Sequence, residues 1–263
     1  MEDIFEEIVA LRRRGEQAVL ATVVNTNGSV PRQAGAKMLI LPSGQIMGTV
    51  GGGFLEHQVM EKAIKLIGGS EPKLMHIELT NEDASKEGMI CGGTVDVFVE
   101  PITPFPALLI FGGGHISFFL ARMGKMLGFH VVVIDDRPEY ANAERFPDAD
   151  EIIAEEMNSV MKRIDVRYSS YIVIVTRGHL NDAQVLEWAI TTPAVYVGMI
   201  GSKKKVQAIF SDLETKGIPR ERLSLVHAPI GLAIGSETPE EIAVSIIAEI
   251  IQVYRKSDLI RKV

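Results

Sequence analysis

The apolar positions of this chain fall into two rhythms, and the change from one to the other places most of its elements. Ile4, Ile8 and Leu11 recur at helical spacing. Acids precede them and Arg12, Arg13 and Arg14 follow, so the pattern predicts an amphipathic helix whose charges complement its dipole. Residues 17–24 are rich in β-branched side chains and predict a strand. Two further strands, 38–41 and 45–47, flank a Pro42-Ser43-Gly44 hairpin turn. A helix follows the glycine-rich residues 48–53. Residues 73–79 and 94–99 then alternate apolar and polar as half-exposed strands.

Beyond residue 106 the rhythm changes. Residues 107–111 are a short apolar run that stops at Gly112-Gly113-Gly114. Ile116, Phe119, Leu120, Met123 and Leu127 then recur at helical spacing up to Gly128, a C-cap. A second strand, 130–134, ends in Asp135-Asp136-Arg137, which completes a right-handed βαβ unit. Strands are also expected at 151–154, 171–176, 194–199 and 223–227, with helices between them. Thr238, Pro239 and Glu241 read as the capping box of a last helix. The pattern predicts an α/β protein: a C-terminal Rossmann-like, doubly wound parallel sheet with a smaller mixed α+β domain before it. Three prolines in residues 101–106 mark a linker, giving domains 1–100 and 107–263.

The candidate chemistry sits where strands end. Gly112 and Gly114 fit the first two glycines of the dinucleotide fingerprint, Ser117 replaces the third, and Asp135 and Asp136 lie roughly 20 residues on, where a ribose-binding acid belongs. In a doubly wound sheet the crevice opens between the first and fourth strands. His115 and the segment Arg177-Gly178-His179 with Asp182 therefore meet at one crevice mouth, facing the first domain's glycine loops, with both histidines and Asp182 as candidate reacting groups. His227 ends the sixth strand. Gly201, Ser202 and Lys203 open another helix; cations there oppose the helix dipole, either as a solvated run or because an anion binds between them. In the first half, Ser29, Arg32 and Lys37 lie in a loop that is a solvated turn or an anion site. Gly51, Gly52 and Gly53 either pack tightly or admit a ligand to the backbone. Cys91, beside Gly92 and Gly93, is a small buried hydrophobe or an accessible thiol.

Composition narrows the classes. Of 263 residues 46% are hydrophobic and 23% charged, ordinary for a globular protein of about two domains. A net charge of −7 gives no overall positive field for nonspecific nucleic-acid binding. The acidic start and the lack of any run approaching ~20 apolar residues predict a cytoplasmic protein without a membrane span. A single cysteine rules out a disulfide or a multi-cysteine metal site within one chain.

Taken in order, several motifs resemble the XdhC/CoxI family, accessory proteins of xanthine dehydrogenase and related molybdenum hydroxylases. They are Gly28-Ser29-Val30-Pro31-Arg32 with Gly35-Ala36-Lys37-Met38, Gly48-Thr49-Val50-Gly51-Gly52-Gly53 with Leu55-Glu56, and Cys91-Gly92-Gly93. The second half adds Phe111 to His115, Asp135-Asp136-Arg137, Thr176-Arg177-Gly178-His179 with Asp182, Gly198-Met199-Ile200-Gly201-Ser202 and Ala228-Pro229-Ile230-Gly231-Leu232. Ala233 departs from the pattern, standing where many relatives carry an acid. The resemblance implies a chaperone that binds molybdenum cofactor (molybdopterin), protects it during sulfuration and delivers it to an apo-hydroxylase. A cysteine desulfurase is expected as a further partner and a homodimer as the assembly, and a thiolate's softness makes Cys91 a candidate metal contact or sulfur relay. The residues alone leave two alternatives: an NAD(P)-dependent dehydrogenase using a histidine for acid–base chemistry, and a nucleotide-sensing module without chemistry.

Overall fold

Strand β1 (Ala18–Ser29) sends Val19, Ala21 and Val23 to one face of its sheet and Ala18 and Leu20 to the other, and a helix covers each face. The computed structural model describes residues 3–69, 71–79, 92–167 and 169–260. By its contacts the chain divides into two units, Met1–Pro104 with Asp258–Val263, and Phe105–Ser257.

In the first unit β1, β2 (Lys37–Ile40), β3 (Ile46–Gly48), β4 (Lys73–Leu79) and β5 (Gly92–Ile102) form an antiparallel sheet in the order β3-β2-β1-β5-β4. Helix α2 (Gly53–Ile64) lays Leu55, Val59 and Ala63 on the face that carries Val19, Met38, Met75 and Val97. Helix α1 (Ile4–Arg13), capped by Asp3, lays Ile4, Ile8 and Leu11 on the other.

Two expectations change here. Residues 25–29, expected as loop, extend β1: after a register shift between Val23 and Asn25, Asn25 pairs with Asp96 and Ser29 with Gly92. Their side chains lie mostly in solvent, so no apolar alternation announced the strand. Strand β5 likewise runs on through Pro101 and Ile102, which shortens the connector to residues 103–106. Pro101 lies beyond the point where β4 begins, Lys73 opposite Val99, so no ladder bond to β4 is lost there.

The second unit holds five parallel strands, β6 (Ala107–Phe111), β7 (His130–Ile134), β8 (Glu151–Ile153), β9 (Ser170–Ile174) and β10 (Tyr196–Met199), in the order β10-β9-β6-β7-β8. Strand order reverses at β6, between its neighbours β7 and β9, as the doubly wound reading requires. Leu108, Ile110, Val131 and Val173 pack with α3 (His115–Met126) and α8 (Pro239–Ile260). Leu109, Phe111, Ile172 and Ile174 pack with α4 (Met157–Met161), α5 (His179–Ala189) and α6 (Lys203–Thr215). Helix α3 stops at Gly128, where Gly128 N–H and Phe129 N–H bond back to the carbonyls of Lys125 and Gly124.

The sixth strand is corrected. Arg220–Leu223 is a short helix, α7, entered from Pro219, and only His227 remains sheet-like, through a parallel bridge to Gly198. Leu225, expected as a strand residue, is 76% exposed.

Candidate functional site

At the carboxyl edge of the parallel sheet the three consecutive glycines have different tasks. Gly112 adopts φ +116°, and a Cβ there would collide with the Val175 carbonyl oxygen, so the turn after β6 needs glycine to pass the turn after β9. A Cβ on Gly113 would lie 2.5 Å from the Tyr140 carbonyl oxygen. On Gly114 it would meet nothing within 4 Å, so only the third glycine faces open space. Ser117 is buried and donates to the Gly112 carbonyl at 2.5 Å, using the hydroxyl to tie helix to turn where a third glycine would simply pack.

His115 and His179 are each the first residue of a helix that follows one of two adjacent strands, β6 and β9, whose ends Phe111 and Ile174 are in register. Both histidines and Arg177 are exposed, so the structure brings these three to one edge of one unit. Gly114 and Gly178 cap α3 and α5 without a side-chain hydrogen bond, leaving first-turn amides pointing outward.

Asp182, expected beside the histidines as a reacting group, is instead wholly buried. Its carboxylate accepts from Thr176 N–H at 3.1 Å and the Thr176 hydroxyl at 2.6 Å, and pairs with the Lys205 ammonium. It lies beneath the turn that carries Arg177 and His179 and holds that turn in place. Ser202 caps α6 by accepting from Lys205 N–H at 3.3 Å; Lys203 is exposed and Gly201 half-buried.

Asp135 is only 2% exposed. Its Oδ1 accepts from Arg137 N–H and Nε at 3.0 and 2.8 Å, and its Oδ2 from Gly113 N–H and Arg137 Nη2 at 2.7 and 2.9 Å. Burial alone would raise this carboxyl; Arg137 and the two amides outweigh it and hold the pKa below the ordinary carboxylate range. Asp136 is more open, with Arg137 Nε 3.8 Å away.

In the first unit three segments converge. Ser29 pairs with Gly92 and Gly28 with Gly93, while a Cβ on Gly93 would meet Val30 at 3.0 Å and one on Gly51 would meet the Pro31 ring at 2.6 Å. The Ser29-to-Arg32 turn is thus flanked by both glycine-rich loops, with Ser29 and Arg32 exposed. Lys37 is half-buried, its ammonium 3.5 Å from the Gly35 carbonyl. Two amides expected to face a ligand are spent internally: Gly51 N–H on the Thr49 hydroxyl and Gly52 N–H on Glu56, both at 3.1 Å. Gly53 begins α2 and is exposed. The clue to Glu56 was an acid in the first turn after a glycine cap. Cys91 lies outside the described residues. Among those that are described, no group of three or more His, Cys, Asp or Glu could hold a metal, and no helix is long and apolar enough to cross a membrane.

One cluster had no clear sequence signal. Glu249 on α8 accepts from the Tyr196 hydroxyl at 2.7 Å and Gly231 N–H at 2.9 Å, and pairs with His227 Nδ1 at 3.2 Å, while the His227 ring stacks on Tyr196 at 4.6 Å. Burial, with Glu249 beside it, pushes the Tyr196 hydroxyl far up. The cluster ties the loop after His227 to β10 and α8.

Family models cover both parts of this architecture. The XdhC Rossmann domain matches residues 108–250, and the XdhC and CoxI family matches residues 11–78. The chain belongs to the XdhC and CoxI family. It is 34% identical over 252 residues to the uncharacterized protein YqeB of Escherichia coli, covering 95% of this chain but 46% of YqeB, so it spans about half of that relative. It is 25% identical to a probable subunit of xanthine dehydrogenase from Bacillus subtilis, over 94% of this chain and 96% of that one. The molybdenum cofactor insertion chaperone PaoD of Escherichia coli is 19% identical over 288 residues. A crystal structure of a xanthine dehydrogenase from Bacillus halodurans shares the fold, with TM-score 0.53 at 23% identity over 95% of each chain.

Proposed function

We propose that this XdhC/CoxI protein binds molybdenum cofactor and delivers it to apo xanthine dehydrogenase or a related molybdenum hydroxylase, shielding it while its terminal sulfur ligand is installed. It acts as a carrier rather than a turnover enzyme, as a homodimer, with a cysteine desulfurase as the source of sulfur. The observation that carries this reading is similarity along almost the whole chain, through both units, to a molybdenum cofactor insertion chaperone and to a probable subunit of xanthine dehydrogenase.

The residues fit such a group. Molybdopterin presents a phosphate, dithiolene sulfurs and an oxidised metal. The first unit offers exposed Ser29 and Arg32 between two glycine loops. The second offers the open Gly114, two helix N-termini without side-chain caps, and exposed His115, Arg177 and His179. When bound, the cofactor supplies the molybdenum and sulfur that the hydroxylase uses; the chain's part is to hold the phosphate and keep water from the metal. Cys91 is the one soft thiol ligand available within the chain, suited to touching the metal or relaying its sulfur.

Reconstitution of an apo-hydroxylase tests this. The Cys91→Ser protein should fold normally, retain cofactor weakly and fail to activate the acceptor. Full activation by that variant at unchanged cofactor affinity removes Cys91 from the mechanism, and failure of the wild-type protein to activate any acceptor removes the function.

A further inference from the structure

A Rossmann unit that binds a dinucleotide uses two devices at the end of its first βαβ. Amides of the glycine turn approach the pyrophosphate, and an acid at the end of the second strand accepts from a ribose hydroxyl. Both positions exist in this chain; the chain itself occupies the acid and the first two amides of the turn, whereas Gly114 and the first turn of α3 stay open. The acid is Asp135, and four donors already fill its two oxygens at 2.7 to 3.0 Å. A carboxylate has about four lone-pair sites, so none remains for a ribose hydroxyl. The first two amides of the turn are also spent: Gly112 N–H bonds the Ile134 carbonyl at 2.7 Å and Gly113 N–H bonds Asp135.

Arg137 closes the arrangement. Its guanidinium meets Asp135 through Nε and Nη2 and lies 3.7 Å from the centre of the Tyr140 ring. The Tyr140 carbonyl is packed against Gly113, and Arg145 donates to the Gly113 carbonyl at 3.3 Å. Acid, guanidinium, ring and glycine turn thus brace one another within residues 112–145. A ribose could reach the Asp135 carboxylate only by breaking a bidentate, largely buried ion pair, because the Asp135 and Arg137 side chains are 3% and 18% exposed.

We infer that Arg137 is a specificity-determining residue: it closes the adenosine-ribose position of this Rossmann unit, so that the unit rejects NAD, NADP and ADP-ribose. The inference rests on the geometry of the second unit alone and holds whether or not the molybdenum reading does. A ligand at this sheet edge is then held by the groups that remain open, Gly114, His115, Arg177 and His179, and not by the ribose acid.

Calorimetric titration of the full-length protein with ADP-ribose, NAD and NADP tests it, with Arg137→Ala and Arg137→Met beside the wild type. The Met variant keeps an apolar stem over Tyr140 and guards against loss of fold. The expected result is no saturable binding of any of the three by the wild-type protein. In a variant that circular dichroism shows to be folded, ADP-ribose should bind saturably, about tenfold or more tighter than the bound that the wild-type titration sets, the worth of one hydrogen bond to a freed carboxylate. Micromolar binding of any of the three by the wild type would overturn the inference. So would a folded Arg137 variant with an open Asp135 that gains nothing.

Discussion

Lys205 and Asp182 show how a conflict visible in the sequence was resolved inside the protein. Lysines at the start of α6 oppose the helix dipole, which left either a solvated run or an anion between them. For Lys205 that anion is Asp182, reaching over from α5 with no exposure of its own, whereas the Lys205 side chain is 28% exposed. The asymmetry predicts unequal losses. Lys205→Met strands a buried carboxylate and should cost about 3 kcal/mol; Asp182→Asn leaves an ammonium that can turn to water and should cost less, about 1–2 kcal/mol. Urea unfolding of both variants checks the order. Glu249 gives a second prediction. Burial would raise its carboxyl, but His227, Tyr196 and Gly231 N–H outweigh it and hold it below the ordinary range. A carboxyl lowered on folding contributes stability above its unfolded pKa, near ~4.3, and that contribution fades as pH falls toward the folded value. Denaturation followed from about pH 6 down to about pH 3, across the carboxylate range, should therefore show a shallower acid loss in Glu249→Gln than in the wild type. The sequence placed His115 and His179 at one sheet edge because topology alone decides that. It could not show that Asp182 and Asp135 turn inward, since the partners that satisfy them, Lys205 and Arg137, are chosen by side-chain packing.

Among the elements, the legible ones were those whose ends carry their own chemistry. Helix α8 begins where Thr238, Pro239 and Glu241 said it would: Glu241 N–H donates to the Thr238 hydroxyl at 3.3 Å and Thr238 N–H to the Glu241 carboxylate at 3.1 Å. Thr238→Ala should cost about 1 kcal/mol, measurable as a lowered melting temperature. The same box responds to acid, because hydrogen bonds from Glu237 and Thr238 N–H hold the Glu241 carboxyl below its usual range. Its support is present above the ordinary carboxylate pKa and lost below the folded value. Strand ends were less legible. Residues 25–29 are made of turn formers with exposed side chains, yet they pair with β5 through the shift after Val23. Residues 223–227 look like a strand because apolar residues alternate there, but Pro219 starts a helical turn and a single bridge at His227 is all the sheet retains. Backbone pairing won over propensity in the first case and capping over periodicity in the second.

At the scale of the whole molecule, the change from mixed to regularly alternating elements near residue 106 separated two units, each with its own apolar core. Family membership spans both, and each unit by itself exposes polar groups at its glycine-rich turns. The most direct measurement is the content of the protein purified from a host that makes molybdenum cofactor, by elemental analysis and native mass spectrometry on one sample. The account predicts that molybdenum and molybdopterin co-elute with the folded chain and leave together when an apo-hydroxylase is added. A chain that carries a nicotinamide or other adenine nucleotide in their place, or stays free of pterin and metal when the cofactor is supplied, would contradict it.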